Sequence, residues 1–294
     1  MQETNNYQTQ RINPQLENAK IIFRRLRKNK AAMAGGILVL LFVITSIIGP
    51  YFTPYDPNAQ DYSVRLEGPS LSHWFGTDHH GRDIFSRIIH GMSITLYIGF
   101  LSVALGTVVG VLLGVVSGYF GGIIDTIIMR VMDVLLAFPG FLLALAIITV
   151  LGPSLNNVII AVGIFSIPQF ARIVRGSTLS VKNLEYIDAI RALGATDFRI
   201  IFRHVLPNIL SPIMVQATLR IAVSILTAAG LSFLGLGAQP PLPEWGAMLS
   251  DARNYIFDAG YIAFFPGASI VIVVLAFNLF GDGLRDALDP KMKS

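Results

Sequence analysis

The chain has no cysteine among its 294 residues. That excludes a disulfide framework, a thiol nucleophile and any Cys-ligated metal site. Charge is scarce as well: Asp, Glu, Lys and Arg make up 14% of the residues, against about 25% in a soluble domain. Lys never follows Gly, so the G-x-x-x-x-G-K-[ST] phosphate loop is missing and no nucleotide site is expected in this chain. G-x-S-x-G is also absent, and no catalytic residue is expected. His79 and His80, with Asp78 and Asp83 nearby, are adjacent loop histidines without a fixed ligand geometry, so no metal site is expected either.

What fills the chain instead is apolar sequence, 53% of it, with a mean hydropathy of +0.62. A bilayer core about 30 Å thick takes about 20 apolar residues per helix. Six runs meet that length, at about 31–52, 92–117, 127–150, 157–176, 208–234 and 262–281. Pro139-Gly140 is expected to kink the third and Pro168 the fourth. The reading is an all-α polytopic membrane protein with six transmembrane helices. A transmembrane domain at 31–283 lies between a basic tail at 1–30 and a short tail at 284–294. The first run is too long for a signal-peptide core, so it is expected to stay in the bilayer.

Lys and Arg place the termini. Seven fall in the first 30 residues, six in the 172–207 loop and three in the C-terminal tail. The opposite loops hold only Arg65, Arg82, Arg87 and Arg253. The positive-inside rule puts both termini in the cytoplasm, with loops 53–91 and 235–261 external and 177–207 cytoplasmic. The net charge of +4 then reflects topology and gives no support for nucleic-acid binding.

Within the external loop at 53–91, Ile84, Phe85, Ile88 and Ile89 fall at helical spacing, predicting a short amphipathic helix before the second span. Glu244-Trp245 opens another, with Trp245 suited to a membrane interface. Gly106, Gly110, Gly114 and Gly118 recur every fourth residue, which lets two helix backbones approach closely in lipid. Asp125 and Asp133 read as pairing residues near the membrane surface. Arg220 lies about 20 Å into the fifth span by the 1.5 Å rise. Burial in lipid is costly for it, so it should face the bundle, a partner subunit or water. Two readings stay open for Arg220: a residue of a translocation path that attracts a substrate carboxylate, or a structural pair with a partner's acid.

The most informative segment is Glu185–Asn208, a charged helix–Gly–helix between two apolar runs. Asn183 is a candidate N-cap, Glu185 suits the first turn, and Gly194 sits where a helix ends with positive φ. Thr196 should cap a second helix, and Pro207 should turn the chain into the membrane. The segment resembles the cytoplasmic coupling loop of ABC-importer permeases, E-A-A-x3-G-x9-I-x-L-P. Asp188, Ala189 and Ile190 stand at E-A-A, Gly194 at the glycine and Leu206-Pro207 at the final pair. Asp for Glu, Ile for the second Ala and His204 for Ile are the departures.

F-G-T-D-H-H-G-R-D (75–83), G-Y-F-G-G-I-I-D (118–125), A-R-I-V-R-G (171–176), L-S-F-L-G-L-G-A-Q-P-P (231–241), E-W-G-A-M-L (244–249) and A-F-N-L-F-G-D-G-L-R-D-A-L-D-P (276–290) extend the likeness. Together they resemble the C-type permease of dipeptide, oligopeptide and nickel ABC importers over nearly everything after residue 20. The resemblance implies a type I importer permease fold with a cytoplasmic coupling helix, in a bacterial or archaeal cytoplasmic membrane. It implies a second homologous permease, two ATP-binding subunits that carry the ATP and Mg, and an extracytoplasmic substrate-binding protein. It assigns ATPase coupling to Glu185, Asp188, Ala189, Ile190, Arg191, Ala192, Leu193, Gly194, Leu206 and Pro207. Peptide uptake is the expected transport, with nickel or another small solute as the alternative. A stand-alone secondary transporter is the competing class; it needs an internal repeat or midplane acids, which the sequence does not show.

Overall fold

The computed structural model describes residues 24–288; most of the 1–30 tail and residues 289–294 lie outside them. The elements of the described residues are helices, in the order α1 (Lys30–Ile48), α2 (Ile84–Phe120), α3 (Gly122–Leu136), α4 (Gly140–Leu151), α5 (Leu155–Lys182), α6 (Glu185–Ala192), α7 (Asp197–Ile200), α8 (Leu206–Phe233), α9 (Trp245–Ala252) and α10 (Tyr261–Leu288), joined by loops of which 53–83 is the longest. Five helices are long and apolar enough to cross a membrane. A sixth crossing is obtained if α3 and α4, bent by 92° at their junction, are one broken span. Pro139 makes that break: it lacks an N–H for the helix ladder and disfavours helical backbone at Phe138. Pro168, by contrast, lies inside an uninterrupted α5.

The tightest pairing is α2 on α5, and the glycine stripe explains it. A Cβ on Gly106 would lie 2.7 Å from the Ser166 Cβ, one on Gly114 2.5 Å from the Ala171 carbonyl and one on Gly118 2.8 Å from the Arg175 carbonyl. Lipid tails are as apolar as Leu, so such backbone contact supplies the van der Waals attraction that burial supplies in water. The expected pairing of the two acids also appears. Arg175 holds Asp125 through two bonds of 2.6 Å, and Arg172 reaches Asp133 at 2.7 Å. Elsewhere α1 packs on α10, and α10 on α8.

Several boundaries differ from the sequence reading. The amphipathic helix at 84–89 is not separate: it is the first two turns of α2, a single 37-residue helix. The helix runs on through Gly91, where the absence of a side chain admits the Pro243 carbonyl and the Trp245 ring. Trp245 does not present its ring to the surroundings of the bundle. It is fully buried, stacks edge-on against Phe42 and donates its indole N–H to the Ile88 carbonyl at 3.0 Å. The helix that carries the last apolar run, 262–281, continues to Leu288.

The loops around 53–83 and α9 form a bonded crust at one end of the bundle. Asp83 caps α2, accepting from the Ser86 N–H at 2.7 Å, while its other oxygen lies 2.9 Å from His73 Nδ1. Arg82 bridges Asp78 at 2.6 Å and Asp251 at 3.3 Å. His79 stacks on Tyr255 and on His80, and burial pushes its pKa down. Among the described residues no group of three or more His, Asp and Glu is placed to hold a metal. Glu244 caps α9 through the Ala247 N–H at 2.9 Å; it is fully buried, and burial pushes its pKa up.

Candidate functional site

At the opposite end, residues 183–205 fold back on the bundle. Asn183 does not cap α6; it closes α5, and Leu184 is the N-cap residue, with no side-chain bond. Glu185 and Asp188 in the first turn favour α6 through the helix dipole instead. The Asp188–Arg191 pair spans 3.1 Å and is exposed, so it adds little. Gly194 has φ +84°. That value lets the Ala195 N–H bond the Ile190 carbonyl at 3.3 Å and the Gly194 N–H bond that of Arg191 at 3.0 Å, closing the helix end. Thr196 caps α7, accepting from the Arg199 N–H at 3.4 Å.

Pro207 does not turn the chain. Ile201–Val205 forms a π-helical turn that leads straight into α8, so 197–233 is one helical rod. Pro207 lies at the joint itself, in the second position of α8 directly after the π-helical turn. Asn208 ties the joint, donating from Nδ2 to the His204 carbonyl at 2.6 Å and to the Tyr186 hydroxyl at 3.1 Å.

Apolar residues clamp this segment to the bundle. Ile187, Ile200 and Val205 are fully buried against Val115, Tyr119, Val174 and Ile209. Ile190 and Leu206 pack half-buried on the same core. Glu185, Asp188, Ala189, Arg191, Ala192, Leu193, Gly194 and Pro207 are exposed. The ten sequence-assigned residues therefore divide into an outward surface and two inward anchors. Leu193 is 88% exposed and Phe198 71%, and Phe198 stacks with the exposed Phe202 at 4.3 Å. Sequence reasoning missed both phenylalanines; their i, i+4 spacing after Gly194 was the available signal. Large apolar side chains grouped on a protruding polar segment mark a contact surface.

A second feature lies along α8. Asn208, Ser211, Pro212, Val215, Gln216 and Leu219, with Ile173, Arg285 and Leu288, line a cavity of about 770 Å³, within the range of small-molecule sites. Arg220, one turn beyond Gln216, is half-buried with its guanidinium 5.8 Å from the centre of the Phe165 ring. No acid of the described residues forms an ion pair with it. The segment and the cavity meet at Asn208; Arg220 lies three turns farther along the same rod.

Residues 110–294 match the family model described as binding-protein-dependent transport system inner membrane component. The chain belongs to that family. Residues 19–69 of the permease also match the N-terminal TM domain of oligopeptide transport permease C. It is 54% identical over 273 residues to the glutathione transport system permease protein GsiD of Pectobacterium atrosepticum, covering 92% of this chain and 91% of that one. The dipeptide transport system permease protein DppC of Alkalihalophilus pseudofirmus is 52% identical, with 92% and 90% covered. In shape the permease resembles the methionine ABC transporter MetNI in its inward-facing conformation, with a TM-score of 0.57 at 22% identity over 70% of this chain and 98% of that one. It is thus an ABC importer permease subunit of type I fold, a multi-pass membrane protein and a member of a transport family.

Proposed function

We propose that the permease forms half of a translocation pore for di- and oligopeptides and that residues 184–206 couple it to ATP hydrolysis on separate subunits. The observation that carries this reading is the outward face of α6 and α7: exposed Leu193, Phe198 and Phe202 on a segment clamped from beneath by Ile187, Ile200 and Val205. Such a segment transmits force, because it cannot be displaced without moving the helices it is packed on. Glu185, Asp188–Gly194, Leu206 and Pro207 belong to this element. ATP and Mg act on two partner ATPases, a homologous permease completes the pore, and an extracytoplasmic binding protein delivers substrate. The Arg- and Lys-rich loops support an orientation with both termini cytoplasmic, in a bacterial or archaeal cytoplasmic membrane.

Peptide is the favoured cargo because relatives above half identity are named for glutathione and dipeptides. Arg220 fits a path for such cargo: it is a cation without an acid partner among the described residues, on the same helix as a cavity lined in part by Asn208, Ser211 and Gln216. ATP closure and loaded binding protein favour the same outward-facing state in this scheme, as two ligands of one equilibrium. The test is purification from native membrane in mild detergent. Recovery of a second permease and two ATP-binding chains, with ATPase activity stimulated by peptide, is expected. Stimulation by nickel alone would overturn the cargo, and ion-driven transport by the isolated chain would overturn the class.

A further inference from the structure

Tyr119 stands on the last turn of α2 and is 3% exposed. Its ring fills the apolar core beneath the 183–205 segment, beside Val115, Ile187 and Ile200. Its polar atoms hold that segment from three directions. The hydroxyl donates to Asp197 Oδ1 at 2.6 Å. The carbonyl accepts from Lys182 Nζ at 2.5 Å, and the same ammonium lies 5.6 Å from the ring centre. Arg191 flanks the hydroxyl, which holds the guanidinium pKa above its ordinary value. The end of α5, the end of α6 and the start of α7 thus converge on one side chain of α2.

The rod behind that side chain is suited to carrying a displacement. α2 runs 37 residues without a proline, about 55 Å at 1.5 Å per residue, and its glycine stripe locks it to α5. Its other end is fixed in the opposite crust by Asp83 and by the Trp245–Ile88 bond. The link to α3 turns on two glycines. Gly121 and Gly122 both take positive φ, at 69° and 56°, with open space around them. The glycine turn itself is open, but Asp125 just beyond it is held by Ser117 of α2 and by Arg175 of α5, so the start of α3 follows the same stiff α2–α5 pair.

We infer that Tyr119, through its bond to Asp197, is the positioning residue that passes movement of the 183–205 segment to the α2–α5 pair. This rests on the reading of that segment as the ATPase-coupling element. The bond is charge-assisted, and such bonds are about twice as strong as neutral ones. It also crosses from the 183–205 segment to α2, where no other side-chain bond between α7 and α2 is found among the described residues.

The test uses the assembled importer in proteoliposomes with its loaded binding protein, and glutathione and dialanine as transported probes. ATP hydrolysis and uptake are measured on the same vesicles for wild type, Tyr119→Phe, Asp197→Ala and the double variant. Each single change is expected to lower peptide moved per ATP by about tenfold, the scale of one charge-assisted hydrogen bond. KM for ATP should not move, and the double variant should be no worse than the singles because both remove one interaction. Unchanged uptake per ATP in an assembled variant would overturn the assignment, as would multiplicative losses in the double variant. Should Tyr119→Phe fail to assemble, Asp197→Ala decides, since Asp197 is exposed and dispensable to the core. Recovery of wild type without any ATP-binding chain would instead remove the coupling reading itself, a result distinct from an assembled complex indifferent to the hydroxyl.

Discussion

Replacing Gly114 by Ala probes the α2–α5 contact most directly. The new methyl would lie 2.5 Å from the Ala171 carbonyl oxygen, 2.7 Å from Val174 Cβ and 2.9 Å from Val174 Cγ1. Ordinary contacts are about 3.5–4.0 Å, so the helices must part by about 1 Å. The nearest atom belongs to backbone and cannot rotate away. Overpacking of this kind costs about 1–3 kcal/mol, while Ala gains about 0.5–1 kcal/mol over Gly in a helix interior. The middle of both ranges gives a net loss of about 1 kcal/mol, with an upper bound of about 2.5 kcal/mol. Gly176→Ala supplies the control: it lies on the exposed face of α5 with nothing within 4 Å of the added methyl, so only the gain of about 0.5–1 kcal/mol remains. Unfolding of the purified chain in mixed detergent micelles, followed by helicity, would read both. The two substitutions should shift the midpoint in opposite directions. If Gly114→Ala proved as stable as wild type, the close packing of these helices would be refuted.

Three further outcomes follow from the same structure. Gly194→Val places a β-branched residue at φ +84° with no clash to relieve, so it costs about 1–3 kcal/mol of backbone strain. It should leave insertion intact and separate ATP hydrolysis from uptake; normal coupled uptake would sink the coupling assignment. Arg220→Gln should lower uptake of peptides with a free carboxylate by about tenfold relative to amidated ones, and unchanged selectivity in an assembled complex would remove Arg220 from the path. Glu244 gives a pH signature. Burial raises its folded pKa, so the stability it contributes is full below the usual 4.5 and is lost as pH climbs towards the raised value. The wild-type thermal midpoint should therefore fall more steeply above pH 4.5 than that of Glu244→Gln; parallel curves would show that the group does not titrate this way.

Much of the fold was legible because long apolar runs have few alternatives in a bilayer, where the backbone must satisfy its own hydrogen bonds. Gly194 and Thr196 were legible for a local reason: helix ends are punctuated by the residues that satisfy them. The failures share a different cause. Asn183 has good capping chemistry, yet α5 continued up to it and left Leu184 to start the next helix. Pro207 was read as a corner, but a π-helical turn absorbed it. Trp245 looked like an interface residue until Gly91, on a distant helix, made room for its ring. Tyr119 and Asp197 lie 78 residues apart, and no local pattern announces such a pair.

The crust formed by the 53–83 loop and α9 also bears on how this protein is built. The Tyr261 hydroxyl bonds the Glu67 carbonyl across 194 residues, the Trp245 indole bonds Ile88 across 157, and Arg82 reaches Asp251 across 169. The first described helix rests on the last, where a Cβ on Gly35 would stand 2.7 Å from the Phe280 nitrogen. A ribosome emits these partners far apart in time, so α1 and the 53–83 loop have only their contacts with α2 and the bonds within the loop until α10 is inserted. A chain cut short before Tyr261 would leave both without their seats and offer quality-control proteases a substrate, which makes completion of the final helix the step that turns a string of inserted spans into a permease.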